Sequence, residues 1–134
     1  MALPNLLCAC GSGLSYASCC QPIHNSHAAA TTAEALMRSR YTAFTKAMGD
    51  YLIATQHKST RNPKEKNEIV SWARSVNWIR LEVLSSTKGT ENDTEGTVSF
   101  AAYFYEAGQV QVIRENSYFQ KEKGCWYYVG PVSG

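Results

Sequence analysis

Four of the chain's five cysteines, Cys8, Cys10, Cys19 and Cys20, share one short stretch with the spacing C-x-C-x8-C-C. Thiols at that density point to a metal ion. Zinc asks for four soft or borderline ligands arranged as a tetrahedron. Cys8 and Cys10 can grip one side of such an ion. Gly11-Ser12-Gly13 then permits a tight reversal, because glycine accepts positive φ. Leu14 to Ser18 is long enough for one helical turn that returns Cys19 and Cys20 to the metal, with Ser12 or Ser15 as its cap. Adjacent ligands are less usual than a two-residue spacer, so His24 or His27 stands as an alternative to Cys20 in the fourth position. Thiol redox chemistry is the main competitor. A disulfide between the neighbours Cys19 and Cys20 would be strained, and four cysteine ligands leave no open coordination position for catalysis. The expectation is a closed, structural zinc site.

The rest of the composition sets the surroundings. Net charge is +2, which makes no global electrostatic case for nucleic acid or a membrane surface. No apolar run approaches a membrane span. The first seven residues carry no basic residue and do not read as a secretory signal. The expected compartment is therefore the cytoplasm, where thiols stay reduced and clustered cysteines favour metal over disulfides. Met1 to His27 contains no Lys, Arg, Asp or Glu, whereas Thr31 onward holds every charge. That shift divides the chain into a metal-binding segment, 1–27, and a body, 28–134, joined at Ala28-Ala29-Ala30.

The body reads as helices followed by strands. Thr31-Thr32-Ala33-Glu34 has a capping-box pattern. The apolar residues Ala33, Leu36, Met37, Tyr41, Phe44 and Met48 then recur at helical spacing, with Arg38 and Arg40 on the flanks and Gly49 as the stop. Asp50 can cap a second short helix through Ala54. Asn62-Pro63-Lys64-Glu65 starts a third, whose apolar face is Ile69, Trp72, Ala73 and Val76. From Trp78 the period becomes two. Ile79, Leu81 and Val83 alternate with Arg80 and Glu82, and strands follow over Thr97–Tyr105, Val110–Phe119 and Cys125–Val129, with Ala107-Gly108 as a hairpin turn. Three helices and a four-stranded antiparallel sheet argue an α+β domain with the helices on one face of a bent sheet.

Two resemblances refine this reading. Cys8-Ala9-Cys10-Gly11-Ser12-Gly13 through Tyr16 to Cys19-Cys20 resembles the SEC-C motif, a small zinc module known from the tail of the SecA translocation ATPase. It implies that Cys8, Cys10, Cys19 and Cys20 are the zinc ligands. The motif's intervening positions are often Lys-rich, whereas here they are Leu14, Ser15, Ala17 and Ser18, so no local cation offsets the thiolates. The order of elements in the body resembles the nuclear transport factor 2-like, or cystatin-like, cone fold. Together, the motif and the segments Met37–Tyr41, Asp50–Ile53, Glu115–Phe119 and Gly124–Tyr128 resemble the YchJ-like bacterial proteins, which join a SEC-C motif to such a domain. Members often carry a second SEC-C motif at the C-terminus, and this chain stops at Gly134 without one.

A cone domain can hold a ligand between helix and sheet. The candidates for its lining are Arg40, Tyr41, His57, Trp78, Phe100, Glu115, Ser117 and Trp126. Alternation puts Glu115 on the face of Ile113 and Phe119. A carboxylate there serves as a general base if unpaired, or as a structural partner of Arg40 or Arg38. His57 falls in a loop and is expected in solvent. Cys125 has no local His or Lys and reads as unreactive. Two functions follow. One is a noncatalytic zinc-binding adaptor presenting Leu3, Leu6, Leu7 and Leu14 to a protein partner. The other is a small-molecule-binding or enzymatic cone with a cavity around Glu115 and Arg40. Nucleic acid ranks below both, since the strands offer only Arg80, Arg114 and Lys121 as basic residues.

Overall fold

The structure, a computed structural model, describes residues 7–132. Its sheet has four antiparallel strands in sequential order, β1 (Asn77–Lys88), β2 (Glu95–Glu106), β3 (Gln109–Glu122) and β4 (Cys125–Pro131). The turns form where the chain offers residues that reach positive φ, Ala107-Gly108 between β2 and β3 and Lys123-Gly124 between β3 and β4. Four α-helices precede the sheet: α1 (Cys20–Asn25), α2 (Ala33–Thr45), α3 (Gly49–Ala54) and α4 (Lys66–Ser75).

Helix α2 organises the core. Its cap is Thr32, one residue later than the capping-box pattern suggests; the Thr32 Oγ1 accepts from the Ala35 N–H. Leu36, Met37 and Tyr41 pack against Leu81, Val98, Ala102, Phe119 and Trp126 of the sheet. Fully burying side chains such as Leu36, Phe119 or Trp126 contributes roughly 1.5–3 kcal/mol each. The opposite side of α2 is also covered. Ser39 and Thr42 are buried there under α1, the cysteine segment and α3. At Arg40 the helix is enclosed on both sides, which is why this side chain is buried, whereas Glu34 and Arg38 keep a partly exposed flank.

Three local expectations change. Gly49 does not stop α2, which ends at Thr45; it is the first residue of α3. A Cβ at Gly49 would lie 2.5 Å from Val70 Cγ2, so glycine is what lets α3 approach α4. Asn62 caps a 3-10 turn over Pro63–Glu65, with its side chain accepting from the Lys64 N–H, and α4 follows at Lys66. In β1, Trp78 pairs with Phe104 and Arg80 with Tyr103, so Ile79 is an extra residue in a β-bulge. A second bulge at Leu84 separates the pairs Val83–Phe100 and Ser85–Ser99. The bulges shift the alternation. Trp78, Leu81 and Val83 face inward, while Ile79 and Leu84 are pushed out.

The cysteine segment is part of this core rather than an appendage. Cys8, Cys10 and Cys20 are buried in one cluster with Ala33, Leu36, Met37 and Tyr41. The chain between α3 and α4 lies along β4. The His57 N–H donates to the Tyr128 carbonyl at 2.8 Å, and the Tyr128 N–H donates to the Thr55 carbonyl at 3.0 Å.

Candidate metal centre and cavity

The cysteine loop closes on itself before it meets the helices. Leu7 bridges Ser15, the Cys8 N–H donates to the Leu14 carbonyl at 2.8 Å, and Gly11 and Gly13 take φ of 81° and 87° inside the reversal. Ser15 caps the 3-10 turn Tyr16–Ser18 by accepting from the Ser18 N–H. That turn delivers Cys19, and α1 begins on Cys20. Ser12 accepts from the Leu14 N–H and donates to Cys19 Sγ at 3.1 Å. All four sulfurs lie within 4.8 Å of one another, with Cys10–Cys19 at 3.6 Å and Cys19–Cys20 at 4.0 Å. Four thiolates about 2.3 Å from one ion would stand about 3.8 Å apart at the edges of the tetrahedron. The sulfurs match that spacing, and all five cysteines are free rather than joined as disulfides. The four could hold a metal ion.

The histidines are engaged elsewhere. His24 Nε2 bonds to the Ser39 carbonyl at 2.8 Å, so its Nδ1 accepts from the Tyr16 hydroxyl at 2.7 Å. Burial holds the His24 pKa below its usual value. His27 Nε2 donates to the Trp126 carbonyl at 2.5 Å. Neither histidine stands among the grouped sulfurs, which leaves Cys20 in the fourth position.

Cations absent from the cysteine segment come from α2 and the residue that ends it. Arg38 Nη1 donates to the Cys10 carbonyl at 2.7 Å and Nε to Glu34 at 2.9 Å. Burial opposes the Arg38 charge, but the bonds to Glu34 and Cys10 outweigh it and hold the pKa above the ordinary value. Lys46 Nζ lies over the Tyr16 ring at 4.3 Å. Within the sulfur group, the hydrogen bond from Cys20 pulls the Cys10 thiol down to about 4, while the same contact, followed by burial, pushes Cys20 well above the usual thiol range. The apolar rim expected for a partner is represented by Leu7 and Leu14, both exposed; Leu3 and Leu6 lie outside the described residues.

A second site lies between the helices and the inner face of the sheet. It is a cavity of about 160 Å³. Met37, Arg40, Tyr41 and Phe44 of α2 line one side, with Trp72 of α4 and Trp78 of β1 beside them. The sheet supplies Phe100, Ala102, Ile113, Glu115 and Ser117. Glu115 Oε2 accepts from the Ser117 hydroxyl at 2.5 Å and from the Tyr128 hydroxyl at 2.7 Å. Six of the eight residues expected at the lining are there: Arg40, Tyr41, Trp78, Phe100, Glu115 and Ser117.

The other two are not. Trp126 is fully buried in the core, where its Nε1 donates to the Thr31 carbonyl at 3.2 Å. His57 is buried rather than solvated, because its segment is bonded along β4. Its Nδ1 accepts from the Ser59 N–H at 3.1 Å, and Nε2 contacts the Glu122 carboxylate. The expected pairing of Glu115 with Arg40 or Arg38 also fails. Among the described residues no arginine lies within ion-pair distance of Glu115. Arg40 Nη1 donates to the Leu52 carbonyl at 2.9 Å and Thr55 Oγ1 at 2.6 Å. Its guanidinium covers the Tyr128 ring at 4.6 Å. Burial lowers the Arg40 pKa to about 10, against the pull of Tyr128, Tyr51 and Glu115. Tyr128, read from the sequence only as a core or sheet-surface tyrosine, also lines the cavity, and alternation along β4 from the inward Trp126 carried the signal.

Comparison with known proteins shows the family. The family model described as YchJ, middle NTF2-like domain, matches residues 32–131. The chain belongs to the YchJ-like family. It is 42% identical over 122 residues to a UPF0225 protein of Vibrio parahaemolyticus, covering 91% of this chain and 72% of that one. A UPF0225 protein of Geobacter sulfurreducens is 40% identical over 122 residues, covering 91% and 76%. Among solved structures, a SEC-C motif containing protein from Rhodopseudomonas palustris superposes with a TM-score of 0.84 at 34% identity, covering 95% of this chain and 98% of that one. Another, from Psychrobacter arcticus, gives 0.79 at 29% identity, covering 98% and 84%. The YchJ-like chain thus has the NTF2-like α+β fold, with the cysteine loop at its N-terminus. No helix among the described residues is long and apolar enough to cross a membrane.

Proposed function

We propose that this YchJ-like chain is a cytoplasmic small-molecule-binding protein whose fold is braced by one structural zinc ion. The cavity of about 160 Å³ with the Glu115 carboxylate in its wall carries the reading. Apolar lining with a few convergent polar groups is the usual make-up of a ligand site. A solid interior around Glu115 would have pointed the other way. Zinc is the metal that suits four thiolates in a tetrahedron with no open position. Its task is then to hold the cysteine loop against α2. Among the described residues the adaptor alternative rests on the exposed Leu7 and Leu14.

The test is to fill the cavity. Ala102 is buried and lines it, so Ala102→Leu adds volume where a ligand would sit. Fragment binding, followed by the fluorescence of Trp72 and Trp78, should be present in the zinc-loaded chain and lost in Ala102→Leu. Binding unchanged by the substitution would place the ligand elsewhere. Zinc content should be one per chain and fall to background in Cys10→Ser; retention of metal would refute the ligand assignment.

A further inference from the structure

We infer that the cavity takes an amine: a single-ring organic cation whose ammonium group bonds Glu115 while its ring lies against Trp72 and Trp78. This rests on the reading of the cavity as a ligand site. Glu115 uses one oxygen, Oε2, for both hydroxyl donors, Ser117 and Tyr128. Its Oε1 has no partner among the described residues. A carboxylate can only accept, so whatever completes it must bring a donor.

That donor is best supplied as a cation. Arg40 is the one basic residue of the lining, and it is committed to Leu52, Thr55 and the Tyr128 ring. Arg114 is next to Glu115 in β3 but points to the other face of the sheet. The Arg40 charge acts on Glu115 only from a distance, so the carboxylate lacks a countercharge within ion-pair distance among the described residues. Aromatic walls add to the same preference. Phe44, Trp72 and Trp78 meet one another around the cavity, and ring faces attract cations while repelling anions. Size limits the body of the ligand. A cavity of about 150 Å³ accepts benzene, so one ring with a short amine arm fits the space here.

Three probes of one shape separate the possibilities: benzylamine, benzyl alcohol and benzoate, each titrated into the zinc-loaded full chain at neutral pH and read by tryptophan fluorescence. Benzylamine should bind about 10-fold or more tightly than benzyl alcohol, the advantage of a charged hydrogen bond over a neutral one, and benzoate should be weakest. Glu115→Gln keeps an acceptor for Ser117 and Tyr128. It should reduce benzylamine to the affinity of benzyl alcohol and leave the alcohol unchanged. Glu115→Asp retains the charge and should retain the order of the probes, which guards against a folding defect in the glutamine variant. Equal affinities for amine and alcohol, or a preference for benzoate, would overturn the amine assignment and leave the cavity as a ligand site. Failure of all three probes to bind the folded chain would overturn both.

Discussion

Arg38 reaches from α2 to the carbonyl of Cys10 and donates to it at 2.7 Å, so the helix at the centre of the fold holds the backbone of the cysteine loop by a charged hydrogen bond. The bond places a positive charge next to four thiols that have none of their own in the N-terminal segment. Outer-shell groups of this kind commonly account for 10–100-fold of metal affinity. Arg38→Met should weaken metal binding by about 10-fold, measured by competition with a chromophoric chelator. Glu34→Gln, which only orients Arg38, should do less. Equal, small effects would reduce Arg38 to a surface ion pair.

Metal removal should reach the whole body. Cys8, Cys10 and Cys20 share a buried cluster with Leu36, Met37 and Tyr41, so the loop and the helix cannot loosen independently. A ligand at 100 times its dissociation constant stabilises by about 2.7 kcal/mol, which corresponds to roughly 10 °C in Tm for a domain of this size. Chelation should lower a single cooperative melting transition by about that much or more. A separate early transition with the main Tm unmoved would show instead that the cysteine segment folds alone.

His24 gives the loop an acid limit. Burial lowers its folded pKa below the ordinary value of 6.5, so below that pH the unfolded chain binds the proton first. Its contribution is complete above about 6.5 and is lost as the pH falls beneath it. His24→Gln keeps a donor for the Ser39 carbonyl and cannot titrate. At equal metal loading, stability should therefore fall less steeply in the variant than in the parent as the pH drops below about 6.5. Parallel slopes in urea unfolding would exclude His24 as the source.

Trp126 should prove structural and not part of ligand recognition. It is fully buried, donates to the Thr31 carbonyl and accepts from His27 through its own carbonyl. Trp126→Phe leaves the Thr31 carbonyl without that donor and opens a small void, for a cost of about 1–3 kcal/mol in chemical unfolding. Binding at the cavity should be unchanged in the same variant; a loss there would tie Trp126 to the site.

Much of this architecture is legible in the residues. Four cysteines at that spacing announce a common centre, alternation along β3 puts Glu115 on the inner face, and Ala107-Gly108 marks its hairpin. What escapes the sequence depends on contacts made by distant segments. Arg40 reads as a flank because helical spacing cannot reveal that α2 is covered on both sides at that residue. Gly49 reads as a stop, whereas its role is the close approach of Val70. His57 reads as a solvated loop residue because the bridge between Gln56 and Tyr128 is long-range. The cysteine segment reads as tethered because it has neither charge nor periodicity to advertise the helix face that receives it.

The two bulges of β1 have a consequence beyond the cavity wall. Among the described residues this strand is a border of the sheet, a place where another chain could add itself by backbone pairing. A straight border of this length would be an adhesive edge. Each extra residue, Ile79 and Leu84, interrupts the regular row of donors and acceptors and twists the strand. The same irregularities that turn Trp78 inward thus make the border a poor template for backbone pairing, even though they leave Ile79 and Leu84 exposed.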